Sequence, residues 1–133
     1  MSYGAAAALQ AAVYQRLMAS EALGALVGAA VYDAVPPPEA PGTFVLIGPE
    51  EARDASDRSG GGAEHRFVVS VVSDAAGFRA AKAAAAAVSD ALVGAELLLL
   101  RGRLVGLWFQ RAAARRVGGG RRIDLTFRAR VEL

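Results

Sequence analysis

The sequence predicts an α+β fold, a two-layer domain in which two main helices pack on one face of a mainly antiparallel sheet. Three observations predict it. Two alanine-rich stretches with helical spacing lie at 4–19 and 75–93. Short β-prone apolar runs separate them. The last third of the chain alternates apolar and polar residues, the spacing of strands with one packed face. A length of 133 residues suits one domain, 1–133, with a modest core. The hydrophobic fraction is 54%, but much of it is alanine, which adds helix propensity and little buried area. Thin helices lying close to their neighbours are therefore expected.

In chain order, residues 4–19 place Leu9, Val13 and Leu17 at i, i+4 and i+8, one stripe of a helix. Ser20 is placed to cap a second short helix, EALGALVG, which Gly28 ends. AVYDAV is short and β-prone, and the prolines of PPPEAPG then forbid both helix and central strand. TFVLIG has strand length and is bounded by glycines. The polar stretch PEEARDASDRSGGGAE reads as a mobile loop that a partner can order; its candidate contacts are Glu50, Glu51, Arg53, Asp54, Asp57 and Arg58.

HRFVVSVV reads as a strand with Phe67, Val69 and Val71 on one face. Asp74 is the expected cap of the next helix, whose buried stripe is Phe78, Ala81, Ala85, Val88 and Leu92, and Gly94 ends it. The rest reads as β: AELLLL leads to a turn near Arg101-Gly102, RLVGLWFQRAA is a strand, and IDLTFRARVEL alternates almost without a break. Ile123, Leu125, Phe127, Ala129 and Val131 point one way; Arg122, Asp124, Thr126, Arg128, Arg130 and Glu132 point the other.

Charge and composition narrow the function classes. The net charge of +2 hides an asymmetry: residues 1–100 carry 6 basic and 11 acidic groups, residues 101–133 nine arginines and two acids. An acidic front and a basic back suit an anionic partner or a head-to-tail copy of the same chain. With no cysteine, neither a disulfide framework nor a thiolate metal site is possible. No stretch reads as a secretory signal or a membrane span, so a soluble intracellular protein is expected. The single histidine, His65, is expected at the surface or a sheet edge, and no nucleophile-elbow pattern accompanies it. Trp108 is expected in the core or at a subunit contact. No enzyme, cofactor or metal site is predicted.

RRVGGGRR, residues 115–122, is the most arginine-dense stretch. A phosphate-binding glycine loop needs a helix after it to supply amide donors, and here a strand follows. The glycines therefore read as a hairpin turn. Four clustered guanidinium groups repel one another and are expected to add nothing to fold stability. Arg115, Arg116, Arg121 and Arg122, with Arg128 and Arg130 on the strand, are either solvated or meet phosphates or carboxylates of a partner. The basic third lacks the interleaved aromatic residues of a single-strand platform and a recognition helix, so DNA binding rests on charge alone.

The order of pieces carries a resemblance. LQAAVYQRLMASEALGALVG is followed by AVYDAVPPPEAPGTFVLIGPEEARDASD, then by GAEHRFVVSVVSDAAGFRAAKAAAAAVSDAL and a C-terminal hairpin. VYDAVPP…P…FVLIG is its most specific part. The chain resembles the tail-completion, or tail-terminator, family of long-tailed phages and phage-like gene transfer particles. The resemblance implies a virion protein made in the bacterial cytoplasm. It implies a ring, usually of six subunits, that stops tube polymerisation at the head-proximal end of the tail. The implied partners are the tail tube protein, the head–tail connector protein, other copies of the chain and, in passing, DNA in the lumen, with no membrane and no catalysis. A head-side neck adaptor and a basic DNA-binding module are the alternatives.

Overall fold

The computed structural model describes residues 3–33, 35–58 and 60–133. Met1, Ser2, Ala34 of the AVYDAV run and Ser59 of the polar stretch lie outside the described residues. The helices are α1 (Ala6–Ala19), α2 (Glu21–Val27) and α3 (Arg79–Leu92), and the strands are β1 (Val31–Tyr32), β2 (Thr43–Asp54), β3 (Gly62–Ser73), β4 (Arg103–Val117) and β5 (Gly120–Glu132). The five strands form one sheet in the order β1-β2-β3-β5-β4. Only β1 runs parallel to its neighbour. This is an α+β domain with a mixed, mainly antiparallel sheet.

Local signals set most boundaries. Ser20 Oγ accepts the Leu23 amide at 3.2 Å, giving one orphan donor of α2 a partner. Gly28 has φ +62, a conformation that favours glycine, and stops that helix. In α1, Leu9, Val13 and Leu17 are all buried, as their spacing predicts. In α3, Ala81, Ala84, Ala85, Val88 and Leu92 are buried, and the helix rests on β3 and β5 with α1 and α2 against its sides. Arg16 Nε donates to the Ala91 carbonyl at 2.8 Å, tying α1 to an orphan acceptor at the end of α3. The sheet contributes Val45, Phe67, Val69, Val71, Ile123, Leu125 and Phe127 to one continuous apolar core.

Three expectations are corrected. The stretch read as a loop from Pro49 onward is strand through Asp54: β2 pairs with β3 along Glu50–Asp54, and of the described residues only 55–58, 60 and 61 lie outside the strands. Pro49 falls in the register shift between Ile47 and Glu50, where it occupies no paired position of the ladder. The charges that suggested a loop pair across the ladder instead, Glu51 opposite Arg66 and Arg53 opposite Glu64.

Asp74 does not cap α3. Its amide donates to the Gly42 carbonyl at 2.8 Å, and the helix begins only at Arg79 behind Phe78. AELLLL keeps the alternation of a strand but pairs with none. Leu97 and Leu99 rest on the core while Leu98 and Leu100 are each 97% exposed. Gly94, at φ +70, turns the chain there, and its amide donates to the Leu107 carbonyl at 3.1 Å.

Candidate functional site

Helices cover one face of the sheet and leave the other free. On the free face β5 presents Arg122, Asp124, Thr126, Arg128, Arg130 and Glu132, flanked by Glu64, Arg66 and Ser70 of β3 and by Arg103, Trp108, Arg111 and Arg115 of β4. The charges form a network. Ser70 Oγ donates to Asp124 Oδ1 at 2.6 Å, Arg122 Nε to the same oxygen at 2.9 Å, and Arg115 Nη2 to Asp124 Oδ2 at 3.3 Å. Arg122 Nη2 also reaches Ser70 Oγ at 3.1 Å. Ser70 is 1% exposed although it lies on the helix-free face, because this network covers it. Partial burial of Asp124 raises its carboxyl pKa. The bonds from Ser70 and Arg122 and the charges of Arg122 and Arg115 outweigh that and hold it below the ordinary carboxylate range.

Three other arginines of this face are also held. The Arg128 guanidinium lies 4.6 Å from the Trp108 ring centroid, a cation–π contact. Arg130 Nη2 donates to the Ala55 carbonyl at 2.9 Å and stands 3.9 Å from Asp57 Oδ2. Arg103 Nη2 meets Glu132 Oε2 at 2.5 Å.

RRVGGGRR is a hairpin tip, with Val117 paired to Gly120 and Gly118 at φ +57. Three of its four arginines are engaged by the protein rather than left solvated. Arg115 and Arg122 share Asp124. Arg121 turns to the other face, donates to the Ala76 carbonyl and lies 5.4 Å from the Phe78 ring centroid, fastening the hairpin to the approach to α3. Arg116 is exposed and makes no hydrogen bond or ion pair with the described residues. Of the six candidate arginines it alone is left with its whole guanidinium for a partner. Sequence reasoning missed Asp124 as the hub, because alternation gives the face of a residue and not its neighbour across two strands.

The acidic candidates lie at the opposite side of the sheet. Glu51 and Arg53 are exposed on β2, facing the helix-free side; Asp57 and Arg58 are exposed in the turn after it. Asp54 accepts the Ser56 hydroxyl at 2.6 Å and the Ser56 amide at 3.1 Å, and these bonds lower its pKa.

Glu50 faces inward. It accepts the Tyr3 hydroxyl at 2.6 Å, and its other oxygen stands 3.1 Å from His65 Nδ1. That contact raises the Tyr3 pKa. His65 is wholly buried on central β3, not at the surface as expected, because β2 continues past it and brings Glu50 over the ring. Among the described residues no serine hydroxyl bonds to His65, and no group of three or more His, Cys, Asp or Glu side chains converges as a metal site. Trp108 is 41% exposed, with Val105 and Phe109 beside it at 43% and 46%, so it is not a core residue. No helix of the described residues is long and apolar enough to cross a membrane.

Residues 11–132 match the family described as tail completion protein gp17. The fold matches a chain in the solved structure of the virion of a native gene transfer agent particle at TM-score 0.94 and 69% sequence identity, covering 99% of this chain and 100% of that one. No curated protein matches the sequence.

Proposed function

The chain belongs to the tail completion protein gp17 family and is a structural protein of a phage-like tail, and on that premise we propose that it is the tail terminator. In this reading copies of the chain assemble into a ring, with six subunits expected, on the head-proximal end of the tail tube. The ring ends tube polymerisation and offers its other side to the head connector. The observation that carries the proposal is the family match across residues 11–132, supported by near-complete coverage of a gene transfer particle chain at 69% identity. The geometry suits it: the charges are gathered on one sheet face and two sheet edges, which are surfaces for contact rather than enclosed sites for chemistry.

The helix-free face is the candidate lumen surface. There the side chains of Arg122, Arg128 and Arg130 are held to the protein and stay partly exposed. A contact with passing DNA made by such groups is sequence-independent and weakens with salt.

Electron microscopy of the purified chain with and without isolated tail tubes tests the assignment. A ring on one end of the tube is expected. Binding to the head portal with none to the tube supports the neck-adaptor reading instead. Unchanged tube length in the presence of the protein overturns the terminator role.

A further inference from the structure

The sheet has two edges without a covering strand. Along β4 the edge runs from Arg103 to Val117, because β4 pairs only with β5. Along β2 the edge is open from Ile47 to Asp54, because β1 pairs only at Val45 and Leu46. An exposed strand edge is a row of unpaired amides and carbonyls ready for another strand.

The two edges carry opposite charge. β4 bears Arg103, Arg111, Arg115 and Arg116 and no acid, while the exposed charges on the open part of β2 are Glu51 and Asp54 against the single Arg53, Glu50 being turned inward to Tyr3 and His65. β4 also exposes Val105, Trp108 and Phe109, with Trp108 on the helix-free face and Phe109 on the covered face beside Phe127, so apolar side chains stand on both sides of this edge. Two β4 edges, with four arginines each and no acid, repel each other. One of each attracts.

We propose that the β4 edge of one copy docks on the open β2 edge of the next, extending the sheet from subunit to subunit. The occupant of each edge is thus a second copy of this chain. Because the two surfaces differ, the contact is heterologous, the kind that closes into a ring. The strand directions agree with it. β2 and β4 of one chain are antiparallel to each other, since three antiparallel pairings separate them. Rotation about an axis along the strands therefore brings β4 antiparallel to the neighbour's β2. The arginines of β4 select against pairing of two β4 edges. The inference rests on the ring reading and adds to it which surfaces meet.

The natural chain has no cysteine, which gives the test a clean background. Single cysteines are placed at Val105, Arg111 or Ala113 on β4 and at Glu51 or Arg53 on β2, then combined as β4/β2 pairs in one full-length chain. A short bifunctional maleimide is added in the presence of tail tubes. Double variants are expected to give a ladder of covalent multimers, and single variants only monomer. Dimers from a single β4 or β2 variant would overturn the proposal, since they indicate like edges meeting. Rings on tubes by microscopy without any ladder would overturn the edge pairing and leave the ring reading standing. No rings from the unmodified chain on tubes would overturn the ring reading and this interface with it. As a second check, Arg111→Glu with Arg116→Glu is expected to abolish rings while leaving circular dichroism unchanged, and adding Glu51→Arg is expected to restore them in part. Undiminished ring formation by the double reversal would count against the charge pairing.

Discussion

The two faces of β5 are made from one strand and behave differently. On the helix-covered face, Ile123, Leu125 and Phe127 meet Val69, Val71, the α3 alanines and one another in a continuous apolar core. Phe127 alone stacks on Phe67, with centroids 5.6 Å apart, and takes Phe109 edge-on at 6.1 Å. On the helix-free face, Arg122, Asp124, Arg128 and Arg130 meet a hydroxyl, carboxylates, a carbonyl and an indole. The first face is held by shape and area, so a void anywhere in it is costly. The second is held by directed contacts around Asp124, each worth little in water. It therefore keeps charge accessible to a partner at small cost to the fold.

Removing the centre of the covered face tests this contrast hardest. Phe127→Ala is expected to cost about 3–5 kcal/mol, from lost burial and the cavity left behind. Urea denaturation reads it directly, and a cost under about 1 kcal/mol would contradict the place given to that face in the core. Asp124→Asn strikes the hub of the free face. It leaves Arg115 and Arg122 together without their carboxylate, and a loss of about 1–3 kcal/mol is expected. The same variant has a pH signature. The Asp124 pKa is lower folded than unfolded, so its contribution is fully present above the ordinary carboxylate pKa and is lost as pH falls through the lowered folded value. Acid titration of stability should therefore be shallower for Asp124→Asn than for the natural chain; parallel curves would remove the network from the account.

Smaller effects sharpen the comparison at its margin. Arg128→Ala removes the cation–π contact with half-exposed Trp108, and a loss of about 0.5–1 kcal/mol is expected. A red shift of Trp108 fluorescence should accompany it as the indole face meets water. Arg116→Glu, with no internal partner to lose, is expected to change stability by no more than about 0.5 kcal/mol. Any effect of that substitution on assembly would then report a partner and not the fold. A loss of stability as large as that of Asp124→Asn would show that Arg116 is tied down after all.

Much of this was legible in the residues. The stripe of α1, the Ser20 cap, the β5 alternation and the glycine hairpin are local features, fixed within a few residues by helical pitch, strand pleat or positive φ. The misreadings share one cause. Pro49, Glu50, Glu51, Arg53 and Asp54 have loop composition, and only pairing with β3 makes them strand. AELLLL has strand composition and no strand to pair with. His65 has the local sequence of a strand end, and only the continuation of β2 past it buries the ring. Arg115, Arg121 and Arg122 looked like free charge because Asp124, Ala76 and Phe78 are brought to them by folding.

By itself the sequence determined the fold class, the helix spacing, the split of β5 into apolar and charged faces, and the resemblance to tail-completion proteins. These depend on periodicity and on the order of elements, which a linear chain carries. The tertiary structure alone decided which strand each polar segment joins, which arginines are already engaged, and which two edges stay open with opposite charge. Those are relations between residues far apart in the chain, and a hydrogen bond or ion pair exists only once folding has brought both partners within a few ångströms.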